Sequence, residues 1–72
     1  MTHEVISSYQ QRVIDEKAEL DAKAKALSEF IGLSPLFDSI DKDEQERLKL
    51  QNDVMWTYST ILGERIAAFK YL

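Results

Sequence analysis

The chain has 72 residues and a mass of 8.3 kDa, enough for one small domain and too little for a two-domain enzyme. Apolar residues make up 44% and charged residues 31%, a globular balance, while the lack of cysteine excludes disulfides and thiolate metal sites. A net charge of −4 and a pI near 4.8 argue against duplex DNA or RNA as a partner, because phosphate neutralisation needs a basic face.

The first helix is expected over about 7–31. Ser7 or Ser8 is suited to cap its first turn, and Gly32 is the residue type that ends helices in the left-handed conformation. No proline or glycine interrupts residues 5–31, and Ala18, Ala22, Ala24 and Ala26 add helix propensity. At about 100° per residue, Ile6, Tyr9, Val13, Leu20, Ala24, Leu27 and Ile31 share one stripe. Glu16 and Lys17 fall where the stripe should continue, and Lys23 lies beside it.

The linker over 32–41 is too apolar for a plain solvated loop. Ser34-Pro35 is a cap-and-first-position pair, and one helical turn through Leu36, Phe37 and Ile40 should close the hairpin end as a lid.

The second helix is expected over about 42–69, capped by Asp41 with Glu44 completing a capping box. Leu48, Met55, Tyr58, Leu62, Ile66 and Phe69 form its stripe. Leu50, Val54, Ile61 and Ala68 widen that stripe to roughly 160°, more than one partner helix covers. With no third helix and no disulfide, self-association as a closed dimer or ring is the expected staple. Trp56 falls opposite the stripe, among Lys49, Asn52, Thr60 and Gly63, where a large aromatic must cover something. The N-terminal arm, a neighbouring copy and a ligand are all open to it. Arg65 sits inside the apolar arc, as an intersubunit ion-pair partner or an anion receiver.

Catalysis is not expected. The only imidazole, His3, lies near the terminus, there are two glycines and no phosphate loop, and no Glu-x-x-His pattern supports a di-metal site. No cofactor is implied. No run approaches ~18 apolar residues and no basic segment precedes an apolar one, so neither a membrane span nor a signal peptide is expected. The residues with something to explain are Tyr9, Lys17, Lys23, Trp56 and Arg65.

Lys23-Ala24-Lys25-Ala26-Leu27 with Phe30-Ile31 closing the helix, a short linker, and an acidic-capped second helix carrying Met55-Trp56 resemble the helical hairpin of phage-encoded cyclic-nucleotide sponges. The run Tyr9 to Leu20 is also similar to a small phage protein family, so the resemblance covers roughly residues 9–69. It implies an all-α hairpin in a symmetric oligomer, a hexamer or dimer, that sequesters the signalling nucleotides of bacterial immunity (CBASS or Thoeris type) between protomers. The resemblance further implies Lys23 on phosphate and Tyr9 on a base. The ligand would be a cyclic oligonucleotide or a cyclic ADP-ribose-type molecule, met in the cytoplasm of an infected bacterium. The chain departs from the pattern in a longer linker and in Arg65, which stands one step out of register behind Glu64. Two other readings remain open: a small helical phage protein that grips a host protein through its exposed aromatic and apolar surface, and a structural assembly piece.

Overall fold

In the computed structural model, which describes residues 7–69, the chain is a hairpin of two long helices. Helix α1 spans Ser8–Leu33, a 3-10 turn spans Pro35–Ser39, and helix α2 spans Lys42–Ala67. His3 and Ile6 lie outside the described residues. No strand occurs among the described residues, and no helix there is long and apolar enough to cross a membrane.

Ser7 caps α1 as expected. Its hydroxyl accepts from the Gln10 N–H at 3.1 Å while the Gln10 side chain accepts from the Ser7 N–H at 3.2 Å, satisfying two of the exposed donors reciprocally. At the other end the expectation for Gly32 fails. The helix runs one residue past it, and no described residue has a positive φ. The chain turns instead at Ser34, whose extended backbone (φ −86°, ψ 126°) breaks the helix while its N–H still donates to Phe30 O. The Ser34 hydroxyl then accepts from the Leu36 N–H at 3.2 Å and starts the 3-10 turn with Pro35 behind it. One serine thus serves both elements, and no left-handed residue is needed.

The lid is narrower than expected. Phe37 is buried and meets Phe30 edge-on, with ring centroids 6.0 Å apart at 88°. Ile40 is half-buried, but Leu36 faces outward. What ties the turn to α2 is Gln45, a buried polar residue with no place in a hydrophobic pattern. Its Nε2 donates to Phe37 O at 3.0 Å and to Ile40 O at 2.8 Å. Asp41 caps α2 by accepting from the Asp43 N–H, whereas Glu44 pairs with Arg47 at 2.7 Å rather than with the cap. Helix α2 ends at Ala67, two residues before the expected end.

The seam between the helices follows an alternating three-four spacing. On α1 it comprises Gln10, Val13, Lys17, Leu20, Ala24, Leu27 and Ile31; on α2, Gln45, Leu48, Asn52, Met55, Ser59, Leu62 and Ile66. Every one is buried or half-buried. Polar side chains therefore hold seam positions that an apolar stripe reads as gaps. Asn52 donates to Ala24 O at 3.0 Å and accepts from Ser28 Oγ at 3.0 Å, a close approach that the small, fully buried Ala24 permits. Ser59 donates to the Asp21 carboxylate. Lys17 lays its stem over Gly63, where a Cβ would come within 3.2 Å of Lys17 Cε, and its ammonium meets Asp21 at 2.7 Å.

The seam keeps Leu48, Met55, Leu62 and Ile66 of the apolar stripe and fills the positions between them with polar residues. Leu50, Val54 and Ile61, at 64%, 58% and 48% exposure, stand on a second face that α1 does not cover. The buried apolar side chains among the described residues are Val13, Ala24, Phe37 and Leu62. The Cα radius of gyration is 16.5 Å, against about 11 Å for a compact domain of this length. A rod with extents of 56 × 16 × 14 Å has little interior of its own.

Candidate functional site

A hairpin of two rods has two flanks, and the five sequence-nominated residues divide between them and the seam. On one flank Tyr9 and Arg65 come together across 56 residues of chain. The Arg65 guanidinium donates to Tyr9 Oη at 2.8 Å and lies 5.8 Å from the ring centroid, a cation–π placement. Phe69 backs the same ring at 6.2 Å. The Tyr9 phenol, followed by the nearby Glu16 charge among lesser influences, holds the Arg65 guanidinium more strongly protonated than usual. Arg65 is thus engaged with Tyr9 of its own chain. Its side chain is exposed, and a guanidinium carries further N–H donors beyond the one given to Tyr9.

One heptad further along α1 on this flank stands Glu16, which accepts from the Tyr58 hydroxyl on α2. That bond, reinforced by partial desolvation and the Glu16 charge, pushes the Tyr58 phenol above its ordinary value. Neither residue stands out in the sequence: Glu16 reads there as a break in the stripe and Tyr58 as core. Tyr58 is 40% exposed and stands on the flank beside the seam rather than in it. The signal that would have found both is the seven-residue spacing of Tyr9, Glu16 and Lys23 on α1, matched by Tyr58 and Arg65 on α2.

Lys23 completes that ladder. It is exposed and makes no hydrogen bond or ion pair with a described residue. Helical rise puts it about 10 Å beyond Glu16 and about 21 Å beyond Tyr9. Within one chain, Tyr9 and Lys23 therefore cannot touch the same base and its phosphate. Helical side chains lean toward the helix N-terminus, so the Lys23 stem tilts toward Glu16 and Tyr58.

Lys17 and Trp56 belong elsewhere. Lys17 is in the seam, paired with Asp21, and the bonds from Lys17 and then Ser59 hold the Asp21 carboxyl below its usual range despite some desolvation. Trp56 covers the opposite flank. Its Nε1 donates to Ser28 Oγ at 3.0 Å, and Ser28 donates on to Asn52. The indole thus packs on α1 of its own chain, a surface missing from the alternatives drawn from sequence.

The site is an open, mixed-charge strip with two exposed tyrosines, a free-standing lysine and a braced arginine. Such a strip presents ring faces and cations to an anionic aromatic ligand. The Sequestin family model matches residues 7–68, both helices and the turn between them. No curated protein and no solved structure matches the chain.

Proposed function

The chain belongs to the Sequestin family, whose name denotes sequestration, and from that premise we propose that it is a non-catalytic sponge for cyclic nucleotides. Lys23 carries the reading: a cation without a partner among the described residues, on the flank that also bears Tyr9 and Arg65. A strongly hydrated, mobile ammonium is a point charge suited to phosphate. Tyr9, held against Arg65, supplies a flat face for a base.

The 21 Å between Tyr9 and Lys23 supports a site shared by copies of the chain. A symmetric interface brings Tyr9 of one copy to Lys23 of another and, by the same operation, doubles every group. A cyclic dinucleotide has two bases and two phosphates and matches that doubling. The row of Leu50, Val54 and Ile61 is the surface on which the copies would meet, as a dimer or hexamer. The reading also places the protein in the cytoplasm of a phage-infected bacterium, where capture of the immune messenger keeps it from its effector. The same apolar row favours a second reading, in which it grips a host protein.

Thermal unfolding with and without cyclic di- and trinucleotides and cyclic ADP-ribose isomers tests the proposal. Ligand at about 100 times its Kd adds about 2.7 kcal/mol, a shift of several degrees for a domain this small. A shift for one class, lost in Lys23→Ala with the assembly intact, is expected. No shift across the panel refutes the sponge and leaves the protein-binding reading.

A further inference from the structure

Resting on that reading, we infer that Glu16 and Tyr58 form the base-reading part of the site and select guanine. The Glu16 carboxylate stands between the Tyr9–Arg65 pair and Lys23 on the ladder, and Tyr58 is the single hydrogen-bond donor to it among the described residues. A carboxylate at that position is unfavourable beside phosphate, so it divides the strip: phosphate goes to Lys23, and the end occupied by Glu16 takes something that donates.

The Tyr58 bond uses Oε2 of Glu16. A carboxylate has about four lone-pair sites, so Oε1 and part of Oε2 stay open to a second donor. The Tyr58 bond also fixes the carboxylate in place, so an incoming base meets an acceptor pair already oriented. The Tyr58 ring, half turned to solvent, is a stacking face one helical register from Lys23 and on the side toward which the Lys23 stem leans. Within a single chain, ring and acceptor thus meet at Tyr58 and Glu16, with the Lys23 cation one heptad, about 10 Å, further along α1. Tyr9 is the face contributed from another copy.

Among nucleobases, guanine presents two adjacent donors, N1–H and the exocyclic N2 amine, which match the two oxygens of a carboxylate. Adenine presents the N6 amine beside an acceptor nitrogen that would face the carboxylate with like polarity. Uracil has one N–H between two carbonyls. An anionic bidentate acceptor therefore favours guanine, and a good bidentate contact discriminates by roughly five- to 150-fold.

The test titrates the intact assembly with cyclic di-GMP, cyclic di-AMP and cyclic di-UMP by calorimetry, using wild type, Glu16→Gln and Tyr58→Phe. Wild type is expected to bind cyclic di-GMP at least tenfold more tightly than the others. Glu16→Gln, whose amide keeps only one acceptor oxygen, should reduce that ratio to near unity. Tyr58→Phe keeps the ring but releases the carboxylate to rotate, and should lower the preference in part, less than Glu16→Gln does. The wild-type ratio stands as a readout even if a variant fails to fold, which helix content by circular dichroism reveals. Binding of all three nucleotides without guanine preference, or a preference that Glu16→Gln leaves intact, overturns the role of Glu16 and leaves the sponge standing. Binding of no cyclic nucleotide, in these titrations or in the wider panel, overturns both.

Discussion

Replacing Gly32 by alanine separates two accounts of how α1 ends. A glycine that stops a helix in the left-handed conformation resists a side chain, and alanine there costs about 1–2 kcal/mol. The observed Gly32 is instead helical, in the last turn before Leu33, and a Cβ built on it meets nothing within 4 Å. Alanine then adds no clash and reduces the freedom of the unfolded chain. The helix-interior difference of about 0.8–1.0 kcal/mol, lessened near a terminus, leaves a gain of about 0.5–1 kcal/mol. For a domain of this size that is a rise of about 2–8 °C in Tm. Urea unfolding followed by circular dichroism, at one fixed chain concentration so that assembly does not shift the midpoint, measures it. A loss of 1 kcal/mol or more in Gly32→Ala would show that the chain turns at Gly32 and would refute the helix stop at Ser34.

Three further outcomes follow from the seam, the turn and the outer face. Asp21 has its carboxyl lowered by Lys17 and Ser59, so the stability it contributes is fully present above the ordinary value of 3.8 and is lost as pH falls through the lowered folded value. The midpoint of urea unfolding should therefore drop with acid more steeply in wild type than in Asp21→Asn, and equal acid limbs would contradict the ion pair's role. Gln45→Leu strips the donor from the carbonyls of Phe37 and Ile40 and should cost about 1–3 kcal/mol, whereas Gln51→Leu on the exposed surface should cost little; equal losses would show that Gln45 does not hold the turn. Ile61→Asp places a charge in the uncovered apolar row and is expected to lower the assembly mass in sedimentation equilibrium. An unchanged mass would move the interface off that face.

The two helices, their caps at Ser7 and Asp41, and the Ser34-Pro35 turn were legible in the amino-acid order, because each depends on neighbours within four residues. So was the excess of apolar surface on α2, which is a matter of angular width and needs no partner to be counted. The helix stops at Ser34 rather than at Gly32 because glycine permits the left-handed turn without requiring it, and Ser34 with Pro35 offers another way to leave the helix.

Which polar residues share the seam was settled by contacts 24 to 46 residues apart. Asn52 to Ala24 and Ser28, Ser59 to Asp21, and the Lys17 stem across Gly63 form only when both helices are in register. A hydrophobic pattern counts such side chains as exposed, since their burial is tolerable only with a partner that the pattern does not supply. Leu50, Val54 and Ile61 lie outside that seam, Trp56 donates to Ser28, and Tyr58 stands on the flank beside Glu16. Local chemistry wrote the helices; only their pairing decided which polar side chains are buried in the seam and which groups share a flank.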